Sequence, residues 1–517
     1  MTGHAVAAPH HLSAQAAKQI LDSGGNAVDA AIAAVAVQGV VAPETCGIGG
    51  DLFALVHRPG WDRPRALNAS GRAGSAATPD LVENPDSPHV PREHPLAVTI
   101  PGCIDGLVDL STELGKLALG NSLAPAIELA SAGFEVSRDL STAFTALASV
   151  YERNPAVSDL YPAGRPVKAG ETVTRPALAE TLTTVASSGR DGFYSGRAGE
   201  DIVGAVGGLI SLADLEQTQS EWIEPIGVEV AGYVSWTTPP NSQGYLGPAT
   251  LAVLEILDPP SDPEDPAWWH LLIESYRCLA WERDDVVSDP NSAPLPLELY
   301  LDRDRLLRAA ATVSPTRAGV WPQRIGALSD TAYLCVADSE GMGVSIIQSN
   351  YHGTGSPLGA ARSGFLLQDR GAGFGLTKGH PNVIAPAKRP LHTLSPTLWT
   401  SGTDPTMLLG TRGGAVQPQL VAQVAARAVI SRMSLDDAVA APRWTVQDFG
   451  PGSEPVLQVE PGVRPEILSD LRGRGHQIEE LDAPQPGWGP VSVIGMAGSE
   501  RAAESDPRVD TTQAIVW

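Results

Sequence analysis

An interleaved α/β core is the fold class this sequence predicts, and three observations predict it. In the first half, apolar residues recur mostly at helical spacing, as in "AQAAKQILDS" and "LAPAIELASAGF". From Thr331 onward the texture changes to short alternating runs, Gly-rich turns and basic punctuation. No long linker divides the two parts, so helices and strands from both must share one core. The 517 residues suffice for one large domain or two to three ordinary ones.

The N-terminal "MTGHAVAAPHHLSAQ" has neither the basic start nor the apolar centre of a signal peptide, and no export is expected. His10 and His11 read as a solvent-exposed pair rather than as metal ligands. The helix over "AQAAKQILDS" should stop at Gly24-Gly25, with Asn26 capping a second helix over "AVDAAIAAVAVQGVV". The apolar run at 28–42 is interrupted by Asp29 and Gln38 and closed by Pro43. It falls short of the roughly 18 residues of a membrane span and reads as a buried helix. In "APETCGIGGDLFALVHR" a Gly-rich turn opens a strand, the reverse of a dinucleotide fingerprint, where the glycines open a helix. Residues 83–97 and 258–266 are Pro- and Asp-rich surface loops, and "WWHLLIESYRCLAWERDD" after the second is helical.

Residues 329–350, "SDTAYLCVADSEGMGVSIIQSN", alternate on both sides of a Ser-Glu-Gly turn and predict a β-hairpin. Beyond it, helices are expected only at "QPQLVAQVAARAVIS" and "PEILSDLRGRG".

With 35 Lys+Arg against 59 Asp+Glu, the formal charge of −24 repels nucleic acid and anionic membrane surfaces. Cys46, Cys103, Cys278 and Cys335 are scattered without a CxxC pair, which predicts reduced thiols of a cytoplasmic protein. GxSxG, HExxH, GxxxxGK[ST] and EF-hand patterns are absent, and "GAGFG" at 371–375 resembles a phosphate loop only loosely. No metal and no cofactor are expected.

Asp330-Thr331 opens the hairpin after "TVSPTRAGVWPQRIGALSD", a stretch without helical or strand period, as a cleavable loop requires. Thr is a good strand starter, which accounts for its place by itself. A Thr whose own α-amine is free can also use that amine, with a reference pKa of about 8, as general base for its hydroxyl.

The segments "GGNAVDAAIAA", "GIGGDLFALV", "IPGCIDGL", "APAIELASAGFEVS", "TPPNSQG", "TAYLCVADSEGMGVSIIQS", "SGFLLQDR", "PAKRPLHTLSPT", "GTRGGAVQPQ" and "SDPRVD" run nearly end to end. In this order they make the chain resemble the γ-glutamyltransferase (γ-glutamyltranspeptidase) family of N-terminal nucleophile hydrolases. The resemblance implies a four-layer αββα sandwich, made as an inactive precursor that cuts itself between Asp330 and Thr331. A 1–330 segment and a 331–517 segment would then remain parts of one interleaved core, the second beginning with the nucleophile.

The resemblance also implies site residues. Thr331 carries the acyl group, Ser349 supports it, and the backbone N–H groups of Gly413 and Gly414 face the oxyanion. The family's substrate-binding Asn falls on Tyr351 without gaps or on Asn350 with a slip of one. His392 and Thr393 stand where typical members carry two carboxylate-binding serines. Typical members hold the glutamyl α-amine with an acidic residue where this chain has Gly373; Asp369 lies earlier than that place, and the competing alternative is that it or another acidic residue holds the amine instead. Their carboxylate-binding Arg aligns with Ser70; Arg72, two residues on, is the candidate to reach a carboxylate with its guanidinium fork, the alternative being a solvated surface arginine.

The leading expectation is therefore a threonine amidohydrolase or acyltransferase for γ-glutamyl amides such as glutathione, passing the acyl group to water or to an amino acid or peptide acceptor. The alternatives are the same nucleophile with an amine-free acyl group of glutaryl or oxamyl type, and a non-catalytic relative that never cleaves. The expected partners are a small amide, the acceptor and the two segments of the chain, with no nucleic acid and no membrane; a homo-oligomer is admitted.

Overall fold

The structure is a computed structural model that describes residues 3–82, 87–322, 329–446 and 455–517. Two mostly antiparallel sheets face each other. The first has seven strands in the order Gln513–Val516, Ala5–Ala8, Ala332–Ala337, Gly343–Ser349, Asp51–His57, Arg65–Ala69 and Glu221–Ile223. The second has six, in the order Glu500–Ser505, Val491–Ala497, Asp404–Thr411, Thr397–Ser401, Tyr233–Thr237 and Ile226–Val230. Both sheets draw strands from either side of residue 330.

The period-two rule explains the layering. In the inner strands alternate side chains go to opposite cores: Tyr333, Cys335, Ala337 and Ile347 meet Leu398, Leu408, Ile494 and Met496 between the sheets. Leu334, Val336, Val344 and Ile346 face the helices outside the first sheet. Strands buried on both faces read as continuous apolar runs, as "AYLCVA" does. Against this sheet lies helix Ala27–Val41, buried along its whole length, with His11–Asp22 and Leu119–Ala132 packed on it. Helices Leu246–Ile256, Pro266–Ala280 and Gln417–Ala425 contribute to the core outside the second sheet. The result is helix, sheet, sheet, helix: the αββα sandwich.

Most of the expected elements form. Asn26 caps helix Ala27–Val41 in a capping box with Asp29, and the hairpin turns at Gly341, whose φ of 91° suits glycine. Two expectations need correction. His10 is buried, not exposed: its Nδ1 accepts the Leu12 N–H as the N-cap of helix His11–Asp22. A further helix, Leu435–Ala440, starts at Ser434, whose hydroxyl accepts the Asp437 N–H. Part of the 83–97 loop and most of the "PQRIGALSD" approach to Thr331 lie outside the described residues. All four cysteines are free thiols. Among the described residues no helix is long and apolar enough to cross a membrane.

Candidate active site

Thr331 immediately precedes strand Ala332–Ala337, the third of the seven-stranded sheet, and is 1% exposed. The adjoining strand pairs Gln348 with Ala332, which brings the next residue, Ser349, beside Thr331. Their hydroxyl oxygens are 3.3 Å apart. In the intact chain Thr331 Oγ donates to the Asp330 carbonyl at 2.6 Å, and Ser349 Oγ donates to the same carbonyl at 3.0 Å. Ser349 Oγ in turn accepts the Tyr351 N–H at 2.8 Å. A serine has one proton to give, and here the Asp330 carbonyl receives it. The bond expected to break is thus polarised by one hydroxyl while the other lies against it.

Gly413 and Gly414 follow strand Asp404–Thr411 of the second sheet. Their φ angles of 126° and 55° belong to the left-handed side of backbone space. Neither amide N–H has an acceptor among the described residues. Three supports hold the turn. Gln243 Nε2 donates to the Gly414 carbonyl at 3.0 Å. Arg412 reaches the Pro486 carbonyl at 2.9 Å and lies 3.6 Å from the Asp330 carboxylate. Beneath, the buried Arg443–Asp506 pair grips the Trp488 carbonyl and the Val491 N–H, which gives "SDPRVD" a scaffolding part in the site.

The segments expected to bind substrate converge on one buried polar cluster. Asp51, at the end of "GIGGD", accepts N–H groups from Gly71 at 2.8 Å and Gln368 Nε2 at 2.8 Å, and His392 Nε2 at 3.0 Å. His392 Nδ1 accepts the Leu394 N–H, so Nε2 carries the proton and the ring is neutral. Burial, with the nearby Arg370 charge, pushes its pKa down to about 3, in keeping with that tautomer. Thr393 Oγ accepts a bond from Arg370 Nη1 at 3.1 Å. Tyr351 holds a left-handed φ of 83°, rare for an aromatic residue, and lays its ring on the Arg370 guanidinium at 3.8 Å. Asn350 points elsewhere, with Nδ2 on the Thr354 carbonyl.

Two residues are turned away from this cluster. Arg72 pairs with Glu221 at 3.1 Å and reaches the Thr218 carbonyl at 3.4 Å, so its guanidinium does not line the cluster as expected. Asp369 is enclosed by His352 and Arg92, each at 2.9 Å. Burial raises its pKa, but the His352 hydrogen bond and the His352 and Arg92 charges hold it below the usual carboxylate range. Asp51, Gln243 and Arg370 were not anticipated. All three lie inside the quoted segments, but nothing local marks them as members of one cluster. Away from the site, His270, Glu274 and His476 could hold a metal ion. Each already has a partner: the imidazoles bond each other at 2.9 Å, and Glu274 takes Arg277 at 2.6 Å and the Gly319 N–H at 3.1 Å.

Glu44 adds an ionisable group near Asp330. Burial pushes its carboxyl up to about 8, reinforced by the Asp139 and Asp330 charges and opposed by its own backbone hydrogen bond and Arg412. The folded protein therefore binds a proton that the unfolded chain releases near 4.5, and stability falls as pH rises from about 4.5 to about 8. Glu44→Gln, which fixes the neutral form, is expected to leave the melting temperature nearly unchanged at pH 4.5. At pH 8.5 it should raise stability by on the order of a few kcal/mol. Equal melting temperatures for both proteins at both pH values would show that Glu44 is ionised in the fold.

A hydroxyl at the head of an inner strand of an αββα sandwich, with a paired hydroxyl and free backbone donors nearby, is the arrangement of an N-terminal nucleophile hydrolase. Comparisons with known proteins supply the family. The Gamma-glutamyltranspeptidase profile matches residues 13–516, and the chain belongs to this family. It is 33% identical to the glutathione hydrolase-like YwrD proenzyme of Bacillus subtilis, over 95% of this chain and 94% of that one. It is also 33% identical to the oxamate amidohydrolase proenzyme of Klebsiella pneumoniae, over 92% and 91% of the two chains. The crystal structure of a cephalosporin acylase from Bacillus halodurans superposes with a TM-score of 0.90 at 29% identity, covering 99% of this chain and 96% of that one.

Proposed function

We propose that the protein is a self-processing threonine amidohydrolase whose acyl donor lacks an α-amine. The observation that carries this reading is that, among the described residues, no free carboxylate stands where the family holds the amine. Gly373 stands at that place, and both carboxylate oxygens of Asp369 are taken. A desolvated ammonium there would have no counter-charge, at a cost on the order of a few kcal/mol. The named activity of the Klebsiella relative, an oxamate amidohydrolase, points the same way.

Processing begins with Thr331 Oγ attacking the Asp330 carbonyl carbon. The C–N bond breaks, the proton released by Oγ passes to the leaving nitrogen, and Thr331 is left with a free amine and an ester to Asp330. Ser349 Oγ–H, already on that carbonyl, is placed to steady the charge that develops on its oxygen. Water then hydrolyses the ester. In turnover the freed amine takes the hydroxyl proton as Oγ attacks a substrate amide, and returns it to the leaving amine. Water or an amino acceptor then releases the acyl group.

A second reading, cleavage of γ-glutamyl amides such as glutathione, is favoured by the name of the Bacillus subtilis relative. Glutaryl-, oxamyl- and γ-glutamyl-p-nitroanilide separate the two. The amine-free donors should give kcat/KM at least comparable to that of the γ-glutamyl donor, and Gly373→Asp should shift the ratio toward γ-glutamyl. A Cβ at Gly373 would lie 3.2 Å from the Leu391 carbonyl, so the change asks for only a small local shift. A clear wild-type preference for the γ-glutamyl donor would establish the second reading instead.

A further inference from the structure

Arg370 is 0% exposed, and its positive charge has no carboxylate partner among the described residues. Nη1 reaches Thr393, but Nε and Nη2 have no hydrogen-bond partner among the described residues. The nearby acids are engaged elsewhere: Asp51 with His392, Gly71 and Gln368, and Asp369 with His352 and Arg92. A buried, unpaired guanidinium is among the most costly groups a fold can carry. The two free nitrogens make up one edge of the guanidinium fork, the Nε/Nη2 side, whose parallel N–H groups match the two oxygens of a carboxylate. One planar face of the guanidinium is covered by the Tyr351 ring at 3.8 Å, which leaves this edge in place.

Its position joins both halves of the site. Through Tyr351, whose N–H bonds Ser349 at 2.8 Å, it is tied to the nucleophile. Through Thr393, whose carbonyl accepts from Gln243 at 3.3 Å, it is tied to the Gly413-Gly414 turn. Arg72, by contrast, is held by Glu221.

We propose that the Nε/Nη2 edge of Arg370 is the receptor for a carboxylate on the acyl group, so that the donors are amides of dicarboxylic acids with one free acid end. This rests on the reading of the protein as a threonine amide hydrolase and specifies its donor. A cation at this place also repels an ammonium, so one residue both selects for the acid and selects against the amine.

The test uses processed protein and matched p-nitroanilides: oxalyl, succinyl and glutaryl donors, each beside its methyl ester, and γ-glutamyl beside 4-aminobutyryl, which lacks the carboxylate. Wild type should prefer the free acid over its ester by about 100-fold or more in kcat/KM, as loss of a desolvated charge pair implies. Arg370→Gln should collapse that ratio to within a few fold by losing only the acid donors, while self-cleavage, read by mass, continues. Arg370→Lys, a charge without the fork, should recover part of it. Acid and ester turned over equally by wild type would overturn the proposal, whether or not the variants fold. If wild type accepts only amine-bearing donors, the amine-free reading falls. Arg370 is then judged by the γ-glutamyl to 4-aminobutyryl ratio: preserved in Arg370→Gln, it overturns the carboxylate receptor, and abolished, it upholds it.

Discussion

Thr331→Ala is expected to remain a single 517-residue chain with no amide hydrolase activity, whereas wild type should separate on denaturation into fragments of 330 and 517 − 330 = 187 residues. The reason is the double use of one oxygen. Thr331 Oγ lies 2.6 Å from the carbonyl oxygen of the bond to be cut, and only after that cut does residue 331 own an amine that can serve as its base. Removing the hydroxyl abolishes processing and, with it, the nucleophile, so the loss should reach at least about 10⁴ in turnover. Thr331→Ser keeps the oxygen and should process. Intact mass, N-terminal sequencing of the smaller fragment and an anilide assay read all three proteins. Full activity from an uncut wild-type chain would refute the mechanism.

The second large effect is expected at the glycine turn, and the two glycines should not respond alike. Gly413 sits at φ 126°, a conformation L residues rarely adopt, and an added Cβ would meet Leu420 at 3.1 Å and Val416 at 3.3 Å. Gly414 sits at φ 55°, which alanine reaches at a cost of roughly 1 kcal/mol. Gly413→Ala must therefore move the turn, and losing one donor to the oxyanion costs about 10²–10³ in turnover. Gly414→Ala should lose much less. The measurement is kcat on processed protein, with melting temperature as the control for folding. Equal, small losses at both positions would mean that these N–H groups do not face the reacting carbonyl.

What could be read from the sequence was set by local pattern. The hairpin around Thr331 follows from alternation and a turn, and Asn26 announces its helix, because caps and strand periods are encoded within a few residues. The identity of the buried polar cluster is encoded over much longer distances. His392 meets Asp51 across 341 positions, and Gln243 meets Gly414 across 171. No periodicity announces such pairs. His10 was misjudged for a related reason: a histidine before a helix looks exposed until the rest of its own fold covers it. Arg370 escaped notice because an arginine in a loop is normally solvated, and only the enclosing fold shows that this one is not.

The place of the cut within the first sheet decides how the protein comes apart. Ala332–Ala337 is hydrogen-bonded on one side to Ala5–Ala8, from the other fragment, and on the other to Gly343–Ser349, which itself pairs with Asp51–His57. Cleavage beside such a strand frees a chain end but breaks none of these ladders, so dilution of the native protein should not part the pieces. The difference emerges after denaturation. The precursor can refold as one molecule, at a rate independent of concentration, whereas two severed chains must first find each other, with a yield that falls on dilution. The proposed processing would thus turn a reversible fold into one that persists because it is slow to open.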